Sequence, residues 1–66
     1  LSVQTGVESM HGVTGVAMSD VMPAGQVQAA GELWTAEAVP GSEKIHKGDR
    51  VEVIKVEGLR LKVRKI

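Results

Sequence analysis

Glycine punctuates this chain at Gly6, Gly12, Gly15, Gly25, Gly31, Gly41, Gly48 and Gly58. The segments between are strand-sized rather than helix-sized, and that spacing favours an all-β fold over one built on long helices. The clearest element is Leu59-Arg60-Leu61-Lys62-Val63-Arg64, where apolar and basic residues alternate with the two-residue period of a strand that has one wet face. Before it, Val51-Glu52-Val53-Ile54-Lys55-Val56 is rich in β-branched residues, and Glu57-Gly58 joins the two as a hairpin, although Glu is a weaker first turn residue than Asn or Asp. The alternation slips between Val53 and Val56, so a bulge is expected near Ile54 and Lys55. In that register Val56 faces Leu59, Val53 faces Leu61 and Val51 faces Val63 on the core side, and Glu52 faces Lys62 outside.

Upstream, Val13-Thr14-Gly15-Val16-Ala17-Met18 reads as a glycine-broken strand. Met22-Pro23-Ala24-Gly25 suits a type I turn, with Pro second and Gly fourth, leading into a short strand from Gln26 to Ala29. The segment from Gly31 to Val39 then ends at Pro40-Gly41. Residue pattern alone leaves this region open, because Val27, Ala30, Gly31, Trp34 and Ala38 also fall at helical spacing, whereas Gly31 costs a helix interior about 1 kcal/mol relative to Ala. The stretch from Pro40 to Gly48 has room for a single helical turn at most.

A chain of 66 residues makes one domain with a thin core, and the absence of cysteine removes both disulfides and thiolate metal ligands as staples. Eight basic and eight acidic residues cancel, leaving no net field to attract nucleic acid or anionic lipid, so any charge effect is local. Nothing approaches the roughly 20 consecutive apolar residues of a spanning helix, and no signal-peptide pattern opens the chain. Leu1 in place of Met reads as the mark of a piece of a longer protein.

Residues able to carry chemistry are few. His11 and His46 are far apart and lie beside turn material, which reads as two surface histidines rather than metal ligands. Ser2, Ser9, Ser19 and Ser42 stand in no nucleophile-elbow pattern, and neither GxxxxGK[ST] nor GxGxxG occurs, so no catalytic, cofactor or metal site is expected. Trp34, the only aromatic residue, reads as the largest filler of the core. Single-strand nucleic-acid binders stack bases on several aromatics in a positive groove; here only the stripe Arg60, Lys62, Arg64 and Lys65 favours such a role.

The ordered motifs P-x-G (Pro23-Ala24-Gly25), G-E-x-W-x-A (Gly31 to Ala36), I-x-x-G-x-x-V-x-V (Ile45 to Val53) and V-x-G-L-x-L-x-V (Val56 to Val63) span nearly the whole chain. Together they resemble the C-terminal soluble domain of NfeD-like proteins. The resemblance implies an all-β, five-stranded OB-fold-like barrel lacking a long helix, with residues 1–10 as a lead-in or linker and 11–66 as the domain. It resolves the ambiguous segment as strands. It assigns structural roles to Trp34 and Ala36 in the core and to Leu59, Leu61 and Val63 in the last strand, which together with Val51 and Val53 from the hairpin register make up the expected core, and it carries over no catalytic residue. It also implies a membrane-anchored parent, with a ClpP-type serine protease domain upstream in longer members, encoded beside stomatin- or flotillin-like membrane proteins. The expected function is therefore a non-catalytic protein-interaction module on the cytoplasmic side, with a stomatin- or flotillin-like partner and no nucleic acid. The alternative is an oligonucleotide-binding module. For either role the expected docking face is Arg60, Lys62 and Arg64 on the last strand, at the edge of a partly open barrel.

Overall fold

The computed structural model describes residues 10–66. Among the described residues five strands follow one another without a helix: β1 (Thr14–Ala17), β2 (Ala24–Ala29), β3 (Glu32–Ala38), β4 (Arg50–Glu57) and β5 (Arg60–Lys65). They close into a barrel in the order β1-β2-β3-β5-β4, with β4 returning to pair with β1. All neighbours are antiparallel except β3 and β5, which run parallel from Thr35–Arg60 to Ala38–Val63. This is a small all-β OB-like fold.

Closure corrects the expectation of a partly open barrel. The last strand is no edge, since β5 is paired to β3 on one side and β4 on the other. The lead-in expected over residues 1–10 lies outside the described residues except for Met10, whose side chain is 5% exposed and belongs to the core.

The segment that could have been helical is a β-hairpin. Ala30 (φ 52) and Gly31 (φ 78) both adopt positive φ, the conformation of a two-residue type I′ turn, whose twist matches that of its flanking strands. The type I turn expected at Met22–Gly25 is not formed: Ala24 and Gly25 already belong to β2, and Gly25 pairs with Ala36. Glycine is required there by close approach. A Cβ on Gly25 would run into the Asp20 carbonyl and lie 2.8 Å from Ser19 Oγ.

Between β4 and β5 the register shifts between Val53 and Lys55, where the broken alternation places a bulge. The pairing itself sits two residues further along β5 than the sequence pattern suggests: Val56 faces Leu61, Val53 faces Val63 and Glu57 faces Arg60. The loop is Gly58-Leu59, not Glu57-Gly58. Gly58 takes φ 62 at the first loop position, a conformation glycine adopts without steric cost and Glu57 would not. Leu59, expected in the core, is thereby carried out of the sheet and is 86% exposed.

Inside the barrel, Ala17, Val27, Ala29, Ala36, Val51, Val53, Leu61 and Val63 are buried. Val21 and Ile45 join them from the connections, where they form an isolated antiparallel bridge and the Val21 N–H donates to the Ile45 carbonyl at 3.0 Å. Ile45 and Leu61 are the largest fully buried side chains, so the narrow interior is lined by aliphatic residues. The indole of Trp34 does not fill it. Trp34 is half-buried against the core margin opposite Val27, and its Nε1–H donates to the Ala29 carbonyl at 3.1 Å.

Candidate interaction surface

Strand alternation sends Arg60, Lys62 and Arg64 to the outside of the wall, as side chains opposite to the buried Leu61 and Val63 must be. None of the three is a free cation. Glu37, outward on β3 and paired in register with Lys62, accepts hydrogen bonds from both Lys62 Nζ and Arg60, the latter at 2.7 Å. Lys62 also lies 3.8 Å from Glu57, which is held by Lys55 at 2.9 Å. The guanidinium of Arg64 meets Glu52 at 2.8 Å, in place of the Glu52–Lys62 pair expected from the alternating pattern.

The electrostatics follow this geometry. Hydrogen bonding and charge from Lys62, aided by Arg60, hold the Glu37 carboxyl below its ordinary value. Lys55 does the same for Glu57, and the hydrogen bond to Glu37 raises Lys62. Four cations, Lys55, Arg60, Lys62 and Arg64, are thus paired with three carboxylates on this wall, and Arg50 at the start of β4 adds a fifth cation beside Val16. The basic stripe that would grip a phosphate backbone is largely neutralised by acids of its own fold.

The opposite side of the wall has a different character. Val16 pairs with Gln28 and Gln28 with Leu33, giving one outward row across β1, β2 and β3. Met18, whose N–H donates to the Gln26 carbonyl, forms the next row with Gln26 and Thr35. All six side chains are exposed, and none is charged. Sequence pattern alone missed this surface. Its signal is the uncharged alternate positions in three separate segments, which become one surface only once those strands are neighbours.

The remaining polar residues have structural roles. Asp49 Oδ2 accepts from the His46 N–H and Asp20 Oδ1 from the Lys47 N–H, both at 2.9 Å, and so tie down the turn before β4. Ser19 Oγ accepts from the Gln26 N–H, and Ser42 Oγ accepts from the Lys65 N–H while donating to the Glu43 carbonyl. Neither hydroxyl has a histidine partner. Among the described residues no group of three or more His, Asp or Glu side chains converges as metal ligands do. A groove of about 410 Å³ between Gly41–Glu43 and Arg64–Ile66 is open to solvent and lined largely by polar groups. No helix among the described residues is long and apolar enough to cross a membrane.

Fold and surface together define a small closed β-barrel domain with an OB-like strand order and one uncharged wall. Residues 7–65 match the NfeD-like C-terminal, partner-binding domain, and the chain belongs to that family. It is 38% identical over 58 residues to the membrane-bound protease PH1510 of Pyrococcus horikoshii, covering 88% of this chain and 13% of that protein. It is 32% identical over 66 residues to protein MJ0826 of Methanocaldococcus jannaschii, covering 97% of this chain and 46% of that one. The chain therefore spans less than half the length of these relatives. Among solved structures it superposes on the C-terminal domain of stomatin operon partner protein 1510-C from Pyrococcus horikoshii with a TM-score of 0.84 at 36% identity, covering 96% of this chain and 97% of that one. The soluble domain of a Corynebacterium glutamicum membrane protein implicated in regulation of membrane protease activity gives a TM-score of 0.81 at 26% identity, covering 91% and 97% respectively.

Proposed function

We propose that this domain is the non-catalytic partner-binding module of a membrane-anchored NfeD-like protein, held on the cytoplasmic side, and that its partner is a stomatin- or flotillin-like membrane protein. The observation that carries this reading is the match of residues 7–65 to a partner-binding domain. The fold supports it: a closed barrel with every strand paired on both sides presents a fixed wall, and a rigid wall binds without an ordering cost. The similar Pyrococcus domain is that of a stomatin operon partner protein, which points to the partner class.

The test is co-purification of the parent protein with the stomatin-like protein, alongside a parent lacking residues 7–65. The partner is expected with the intact parent and depleted with the truncated one. Equal recovery from both would overturn the assignment.

A further inference from the structure

We infer that docking takes place on the outer wall of β1–β2–β3, through Val16, Met18, Gln26, Gln28, Leu33 and Thr35, and that the partner contributes an uncharged, aliphatic segment. The inference rests on the partner-binding reading and adds to it a face and a chemistry.

Charge distribution is the first argument. Charged residues make up 24% of the chain, yet these six adjacent outward positions carry none, while β4 and β5 place Arg50, Glu52, Lys55, Glu57, Arg60, Lys62 and Arg64 outside, with Arg50 and Arg60 bordering the wall at Val16 and Thr35. A sheet face that only has to stay solvated is ordinarily kept charged, which discourages association. Depletion of charge together with exposed Met and aliphatic side chains is instead the composition of an interface centre. Val16, Met18 and Leu33 are 39%, 45% and 55% exposed, and Gln26 and Gln28 lie between them in register.

The same distribution selects the occupant. A carboxylate or ammonium brought onto the middle of this wall, around Gln28 and Leu33, would lose hydration and find charge only at the margins, where Arg50 stands beside Val16 and Arg60, already held by Glu37, beside Thr35. A segment of aliphatic side chains loses nothing comparable and gains by leaving water. Each Gln amide offers both a donor and an acceptor, so the two can satisfy backbone groups of such a segment without adding charge. On the other wall the cations already have carboxylates as partners, and an acidic partner would have to displace them.

The experiment probes this domain against an intact stomatin-like protein and against short overlapping peptides covering its sequence. Peptides that bind are expected to be aliphatic and nearly free of charge, with affinity little changed as the Debye length falls from ~10 Å at 0.1 M to ~3 Å at 1 M salt. Leu33→Glu should weaken binding by about tenfold or more, Leu33→Gln by less, and Arg64→Gln should leave it unchanged. If the intact protein binds but Leu33→Glu and Val16→Glu bind it equally well, the face is wrong and the partner-binding reading stands. If neither intact protein nor peptides bind, that reading itself fails. If Leu33→Glu instead abolishes self-association in sedimentation equilibrium, or association with neutral phosphatidylcholine vesicles, the wall is covered by a second copy or by a bilayer, and the partner assignment is overturned.

Discussion

The two sides of this barrel wall are made of the same kind of strand and treat water differently. Along β4 and β5 outward positions carry charge, and among the described residues all of these charges but Arg50 are paired: Arg60 and Lys62 with Glu37 of β3, Lys55 with Glu57, Arg64 with Glu52. Along β1, β2 and the first half of β3 the outward positions are Val, Met, Gln, Leu and Thr. Charge density alone directs attention to Arg60, Lys62 and Arg64, each of which the fold has already paired with a carboxylate. A row of cations is an attractive surface only where the fold leaves it unpaired, and exposed pairs of this kind contribute mainly solubility and register and little stability.

The comparison breaks most visibly beneath the charged wall. Leu61 and Leu59 are neighbours in the alternating pattern, but Leu61 is fully buried and Leu59 is 86% exposed. Leu61→Ala should cost about 2–5 kcal/mol, a large share of the roughly 3–10 kcal/mol available to a domain this small, whereas Leu59→Ala should fall within about 0.5 kcal/mol of the parent. Urea denaturation of the two variants measures the difference. Similar losses would mean that the hairpin register is wrong and that the ion pairs drawn from it are wrong too.

A smaller effect is expected at the hairpin that carries the uncharged wall. Ala30 holds φ 52, where its Cβ is strained, in the first position of a turn that favours Asn-Gly. Ala30→Asn should raise stability by about 0.5–1 kcal/mol, read as an increase in melting temperature. No gain would argue against the positive φ assigned to Ala30.

The smallest effect distinguishes the walls by pH. Glu37 and Glu57 lie below their ordinary value of 4.5, so the stability they contribute is complete above that value and is lost as pH falls through their lowered folded values. Lys62 lies above its ordinary value of 10.5, so its contribution is complete below that value and is lost as pH rises through the raised one. A shallow decline at both extremes is expected, with the acid limb flattened in Glu37→Gln. An unchanged acid limb in that variant would show that Glu37 does not hold β3 to β5 electrostatically. Binding through the uncharged wall should not follow either limb while the domain stays folded.

Much of the architecture is legible in local pattern. Glycine spacing favours strands over long helices, the broken alternation after Val53 locates the bulge, and the parity of Arg60, Lys62 and Arg64 places them outside. The motif order from Pro23 to Val63 points to the family. Less legible was Ile45, fully buried in a connection where no alternation marks it. Trp34 was legible as a packing residue only in part, because size says nothing of whether a five-stranded interior has room for an indole.

By itself, then, the amino-acid sequence determined what repeats locally: the strand character of β4 and β5, the bulge between them, and which face of the last strand is wet. Only the tertiary structure decided what depends on neighbours. A two-residue period is blind to a slip of two, so the pairing of β4 with β5 was settled by the conformational freedom of Gly58 and not by the apolar pattern. Closure of β4 onto β1 removed the edge on which a docking strand would have depended. Glu37, 25 residues before Lys62, became its counter-charge because β3 runs parallel to β5. The uncharged wall exists for the same reason: Val16, Gln28 and Leu33 are ordinary residues in three segments until hydrogen-bonded strands set them side by side.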